Sequence, residues 1–334
     1  MMNNQPKTTL KTNILLFVFA GLTICALAFG WLCLQATNRA FYDSTEKNLH
    51  SLTDVETIKI DNRLKSVEQY VNTLNIAISG MIDSAEQLTD PKELNKITEE
   101  SRELIRLTIG NTEKVVAAYL RFSPRLTPPT SGVFMAKTSA DHDLQFTEPT
   151  DFSKYSPDDI EHVGWYYIPI KTNRPIWMSP YQNKNIGIYM ISYIIPIFKS
   201  DKAIGVVGVD IDFDYLTREI ASIHFFDNDY AYLSDKSDNV LFHPSIPKGQ
   251  KVTQSENSVL IQNKLTNGMN LTFVIPQSSI SANRDTLIKN LTLITLIILV
   301  TIVFATLVFS KSFTKILKSF ITDAEPAKEN KDIE

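Results

Sequence analysis

Cysteine is nearly missing from these 334 residues: the only two, Cys25 and Cys33, both fall in an uncharged apolar run near the N-terminus. The polar remainder therefore has no disulfide framework and must be stabilised by its own core. Histidine is scarce as well, five in all, and none stands in an H-E-x-x-H pattern, so no metal-ligand cluster is visible. Nor is there an excess of positive charge. With 33 Lys and Arg against 37 Asp and Glu the formal charge is −4, whereas a nucleic-acid partner usually demands a strongly basic face. Gly205 and Gly208 have the wrong spacing for a dinucleotide loop, no Walker pattern occurs, and no nucleophile stands with a base to activate it. We therefore expect neither enzymatic activity nor a cofactor.

What is present in abundance is segregated. Ile14 to Leu34 reads ILLFVFAGLTICALAFGWLCL, 21 residues without a charge, and Leu291 to Phe309 reads LTLITLIILVTIVFATLVF, another 19. At about 1.5 Å per residue each can cross a hydrocarbon core of roughly 30 Å as a helix. The first run exceeds the usual h-region of a signal peptide, about 7 to 15 residues, and no clear A-x-A site follows it, so a retained anchor is expected. Lys7 and Lys11 precede the first span, and Lys311, Lys315 and Lys318 follow the second. The positive-inside rule then puts residues 1–13 and 310–334 in the cytoplasm and the intervening region outside the bacterial inner membrane. That region carries 26 basic and 32 acidic residues, consistent with export.

After the first span, Ile60, Leu64, Val67, Val71, Leu74, Ile78 and Met81 recur at alternating spacings of four and three. This predicts one long amphipathic helix from Phe41 to Ile82. Its stripe suits a coiled-coil homodimer seam or the domain's own sheets equally well. Asp90 and Pro91 open a second helix, which Gly110 ends. VVAAYLRF (115–122) reads as a strand and the Pro-rich SPRLTPPTSG after it as a loop, while the segment through Pro149 has no convincing period. Ser156 and Pro157 open a short acidic helix with Asp159 in the capping-box position. WYYIPI (165–170), IYMISYIIPIF (188–198) and AIGVVGVDI (203–211) read as strands, followed by a short helix from about Tyr215 to Ser222 capped by Asp212 or Asp214. YAYLSD (230–235), NVLFHP (239–244) and GMNLTFVI (268–275) read as a second, smaller antiparallel sheet. The expected class is α+β, with two stacked lobes: a distal one over about 85–225 and a proximal one over about 226–280.

In this order and spacing, Gly164-Trp165-Tyr166, Trp177-Met178-Ser179-Pro180-Tyr181, Ile191-Ser192 with Pro196, Gly205 to Asp210, and Leu241-Phe242-His243-Pro244 resemble the double Cache family of bacterial sensor domains. That family has two PAS-like lobes on a long N-terminal helix between two membrane spans, and the resemblance covers roughly residues 36–285. It implies a small-molecule pocket in the distal lobe. In amino-acid-sensing members that pocket contains an Arg, a Trp-Tyr pair, a further Tyr and a closing Asp. Trp165 and Tyr166 match the pair, Tyr181 the later Tyr and Asp210 the Asp, but Val163 stands where the carboxylate-binding Arg would be.

A small cationic ligand needs a buried anion, acceptors for its N–H groups and aromatic faces. Asp210, Tyr166, Tyr181 and Trp165 are of the right types, although Asp210 also suits a strand-end cap, and the aromatics suit a core. As strand neighbours, Trp165 and Tyr166 would point to opposite faces, so at most one would enter a pocket. Trp177 and Tyr189 are further candidates for a pocket wall. Arg174, in the Asn173-Arg174-Pro175 turn, could supply the missing guanidinium or be a solvated turn residue. Asp158, Asp159 and Glu161 could attract a cation, but a helix N-terminus explains their charge. His243-Pro244 reads as a turn device and His162 as an ordinary exposed histidine.

These features lead us to expect a membrane-anchored receptor for an amine or amino-acid-like molecule, with the lipid bilayer and a second copy as partners. The output would pass to a separate cytoplasmic kinase, cyclase or chemotaxis partner, or to an output module missing from the sequence as read. Phe313, Ile316, Leu317, Phe320 and Ile321 predict a short amphipathic helix there, before a charged tail expected to be disordered. The competing expectation is an anchored scaffold that has lost ligand binding.

Overall fold

A computed structural model describes residues 8–109, 114–137, 144–183, 187–253 and 257–324. The expected helix stop at Gly110 and the charged last ten residues lie outside the described residues. The chain divides into two units, Met1–His50 with Gln277–Glu334, and Ser51–Pro276.

In the first unit, the initial part of helix α1 (Thr8–Met81) and helix α5 (Gln277–Ala324) carry the two apolar runs. The helices Phe17–Met81 and Gln277–Phe309 are long and apolar enough to cross a membrane. The stripe predicted at 313–321 falls within α5. Gly30 sits against Thr295: a Cβ built on it would come 2.9 Å from Thr295 Cγ2, so the missing side chain lets the two helices touch.

In the second unit, residues Ile60, Leu64, Val67, Val71, Leu74 and Ile78 of α1 are all buried, at most 5% exposed. The stripe is thus consumed by the chain's own core. Helix α2 (Pro91–Ile109) adds Ile97, Ile105 and Ile109 to it, and starts where the Asp90 carboxylate accepts from Lys92 N at 2.8 Å. The larger sheet contains β1 (Val115–Phe122), β2 (Gly132–Ala136), β3 (Gln145–Thr147), β4 (Ile176–Trp177), β5 (Tyr181–Asn183), β6 (Ile188–Lys199) and β7 (Lys202–Asp212). Its order is β3-β2-β1-β7-β6-β4, with β5 also on β6, and every pairing is antiparallel. The smaller sheet has order β10-β11-β8-β9, from β8 (Tyr230–Ser234), β9 (Val240–Phe242), β10 (Ser258–Lys264) and β11 (Asn270–Pro276). The fold is α+β, as expected.

One element contradicts the expectation. Residues 165–170 are helical, inside α3 (Ile160–Thr172), despite Pro169. The helix starts where Asp159 Oδ1 accepts from His162 N at 3.2 Å, and ends at Asn173 in the left-handed conformation. The short acidic helix and the strand predicted after it are therefore one continuous helix. Packing overrides local propensity here: Val163, Tyr166 and Ile170, at helical spacing, pack in one cluster with Tyr119, Ile194 and Val206 of the sheet. Helix α4 (Phe213–Ala221) begins two residues before the expected start, with Asp212 as its cap.

Candidate functional site

The larger sheet has two chemically different faces. Residues Ala118, Leu120, Phe122, Val207, Val209, Ile191 and Ile195 face the core built with α1 and α2. Alternation puts Ala117, Tyr119 and Arg121 of β1, Val206, Gly208 and Asp210 of β7, and Ser192 and Ile194 of β6 on the other face. The register makes neighbours of Tyr119 and Gly208, and of Asp210 with both Ala117 and Ser192. Gly208 has to be small, because an added Cβ would lie 2.6 Å from the Tyr119 ring.

Asp210 is 1% exposed and its Oδ1 has no hydrogen-bond partner. Burial pushes its pKa up to about 7; the nearby hydroxyls of Ser192 and Tyr119 oppose the shift without cancelling it. Tyr119 Oη is buried beside it, and burial first, then the Asp210 charge, raises its phenol well above the ordinary range. Tyr181 Oη lies 3.0 Å from Ser192 Oγ, its own pKa raised first by burial and then by Asp210. The result is a buried carboxylate among three hydroxyls.

Helix α3 lies across this face. Because helical neighbours diverge by about 100° rather than pointing to opposite sides, Trp165 and Tyr166 both reach the sheet's aromatic layer, against expectation. Trp165 meets the Tyr119 ring edge-on at 5.0 Å and donates from Nε1 to His162 O at 2.9 Å. Tyr166 packs on Phe152 at 4.6 Å. His162 is half-buried, stacked on Tyr155 at 4.7 Å with Nδ1 2.9 Å from Asp159, and so is not the plain exposed residue the sequence suggested.

Other candidates fall elsewhere. Trp177 lies on the core side, donating from Nε1 to Glu68 Oε1 of α1 at 2.7 Å and packed on Tyr193. Tyr189 also faces the core, edge-on to Phe213. Neither walls the Asp210 cluster. Arg174 is exposed in the turn after α3. Val163, at the position of the family's Arg, is completely buried.

Sequence reasoning missed Tyr119, Ser192 and above all Arg121. Arg121 is 1% exposed, with its guanidinium 4.4 Å from the Phe152 ring centroid. Its Nη2 donates to Pro129 O and Thr150 O, while Nε and Nη1 have no partner. Burial lowers its pKa to about 10. A lone Tyr and a lone Arg two residues apart in an otherwise apolar strand were the available signal.

Residues 102–218 match the family described as methyl-accepting chemotaxis protein-like, first PDC sensor domain. Residues 102–218 are therefore similar to a PDC sensor domain. Its fold is shared with the extracellular domain of a histidine kinase, mmHK1S-Z3, at TM-score 0.52 and 17% identity, over 73% of this chain and 98% of that one. The sensory domain of the Campylobacter jejuni chemoreceptor Tlp3 matches at TM-score 0.50 and 17% identity over 73% and 98%. The Tlp3 ligand-binding domain in complex with L-valine matches at TM-score 0.50 and 18% identity over the same shares. No curated protein matches the chain. The stretch similar to the PDC sensor domain contains Tyr119, Tyr181, Ser192 and Asp210.

Proposed function

We propose that the chain is a membrane-anchored receptor whose PDC sensor domain binds a small organic cation, an amine or amino-acid-like molecule, at the Asp210 cluster. The observation that carries this reading is the buried Asp210 carboxylate, whose Oδ1 has no partner and which, among the described residues, has hydroxyls but no cation beside it. An isolated buried charge is costly, and an ammonium group would pair it. The Tlp3 complex with L-valine supports a small nitrogenous ligand.

Between the members of the class, a simple amine fits better than an α-amino acid. Val163 supplies no guanidinium, and Arg121 pairs with Val206, four residues along β7 from Asp210, about 13 Å at roughly 3.3 Å per residue. The ammonium and carboxylate of one α-amino acid are too close to reach both. Arg174 in its exposed turn remains a candidate only for the mouth of the site. The binding event passes across the inner membrane, with both termini cytoplasmic and the PDC sensor domain outside, to a kinase, cyclase or chemotaxis partner. A homodimer along α1 is supported by the exposed row Leu52, Val55 and Ile58.

The test is a melting-shift panel on the detergent-solubilised full chain, with primary amines, amino acids and carboxylates. Stabilisation by amines that disappears in Asp210→Ala supports the site. An unchanged amine response in that variant moves the ligand elsewhere. No shift with any compound favours the anchored-scaffold reading, which the buried Val163 in place of arginine also favours.

A further inference from the structure

The smaller sheet repeats the two-faced arrangement of the larger. Ala231, Leu233, Leu271 and Phe273 are buried in the core with α1. The opposite face presents two registered rows, Tyr232–Thr272–Gln262 and Tyr230–Val274–Leu260. Among the described residues no helix covers these rows as α3 covers the other sheet. Instead Asp238 and Lys251 to Thr253 line, with these rows, a cavity of about 340 Å³, at the small end of ligand-site volumes.

The cavity is built, not a packing defect. Its floor is firm: Thr272, Val274 and Tyr232 are 2, 4 and 8% exposed. The Gln262 amide donates to Thr272 Oγ1 at 3.2 Å, which leaves the threonine hydrogen free to donate. His243 packs on both tyrosine rings, at 5.0 and 5.3 Å, and is fixed by Ser245 N and Ile246 N donating to its Nδ1, so it is the turn device the sequence suggested. At the mouth stand one anion and one cation, Asp238 and Lys251. The loop geometry keeps them in place. The Asp235 carboxylate accepts from Ser237 N and Asn239 N, which holds Asp238 at φ 61°, and Asn239 bridges to Lys251 as an isolated antiparallel pair. Among the described residues no ion pair joins Asp238 to Lys251; Asp238 Oδ1 accepts only from the Asn270 amide, at 3.3 Å. Two opposite charges on one cavity, not bonded to each other, above hydroxyl donors and the apolar Leu260 and Val274, match a molecule that carries both charged groups on one carbon beside a short side chain.

We propose that this cavity is a second ligand site, distinct from the Asp210 cluster, and that it takes a small zwitterionic α-amino acid. The ligand carboxylate meets Lys251, its ammonium meets Asp238, and its side chain enters between Tyr230 and Tyr232 toward Thr272. The two lobes then differ in what they accept: the larger sheet pairs a lone cation, the smaller a zwitterion.

The test is calorimetric titration of the detergent-solubilised full chain with L-alanine, L-serine and L-valine, and with ethylamine and propionate as the separated charges. Saturable binding of at least one amino acid is expected, with propionate and ethylamine at least about tenfold weaker at this site. Lys251→Gln and Asp238→Asn, both at exposed positions, are each expected to weaken the amino acid about tenfold or more, the loss of about 1.4 kcal/mol expected of one charge-assisted contact, while the melting temperature without ligand stays unchanged. Asp210→Asn is expected to leave amino-acid binding intact. The proposal is overturned if no amino acid binds saturably, if both mouth variants bind as the parent does, or if Asp210→Asn alone abolishes binding. The last result would put the amino acid in the larger sheet and leave the receptor reading standing.

Discussion

Replacing Asp210 with asparagine keeps its shape and deletes its charge, and the structure sets both the sign and the size of the result. The ordinary carboxyl value is 3.8 and the buried one about 7. Because the folded form holds this proton more tightly than the unfolded chain, folding stability is greatest below about pH 4 and declines as pH rises through about 7. At about 1.4 kcal/mol per pH unit, the charged side chain costs the ligand-free fold as much as about 4 kcal/mol at pH 8. Asp210→Asn removes that cost, less whatever its new amide hydrogens lose for want of acceptors. For a domain of 150–250 residues, each kcal/mol moves the midpoint roughly 2–4 °C, so the variant should melt as much as about 10 °C higher at pH 8 and near the parent at pH 4. The assay is differential scanning fluorimetry of parent and variant, without ligand, from pH 4 to 8.5. A variant that melts below the parent at pH 8, or a gap that does not widen with pH, would refute the claim that Asp210 is a buried, unpaired charge awaiting a cation.

Three further outcomes follow from the same geometry. Amine affinity should fall about tenfold per pH unit below about pH 7, as protons compete for Asp210; calorimetry at pH 5.5, 6.5 and 7.5 checks it, and flat affinity would point to another anion. Gly208→Ala puts a methyl 2.6 Å from the Tyr119 ring and should cost about 1–3 kcal/mol while also weakening amine binding, read by urea titration and melting shift. Gly30→Leu should lower the melting temperature of the detergent-solubilised chain by separating α1 from α5 at Thr295, whereas Gly21→Leu, with nothing within 4 Å of the added Cβ, should not.

The parts of the fold written in regular periods were legible. The α1 stripe from Ile60 to Ile78 buries the residues its spacing named, and β6, β7, β8 and β11 lie within a few residues of their β-branched runs. Failure came where local preference and tertiary packing disagree. Trp165, Tyr166, Tyr167 and Ile168, with Pro169, look like a strand, yet Val163, Tyr166 and Ile170 gain more from the aromatic floor of the sheet as a helix. Strands β2, β3 and β10 are short or mixed in pattern and pair onto neighbours whose position no local signal gives. Within the candidate site, Asp210 and Tyr181 came from the family resemblance, and the structure brings them together through Ser192. Trp177 was misplaced because the two-residue strand β4 turns its indole toward Glu68, an orientation that composition cannot reveal. Arg121 and Tyr119 went unnoticed because a strand that is buried on both faces shows no alternation to mark the residues that matter.

Strand β7 gives the buried carboxylate an unusually short lever. Two residues beyond Asp210 the strand ends at Asp212, whose side chain accepts from Tyr215 N and fixes the first turn of α4, and that nine-residue helix packs against β8 of the smaller sheet. The buried carboxylate is thus joined to the second sheet by a strand end, a capped helix and one helix–strand contact.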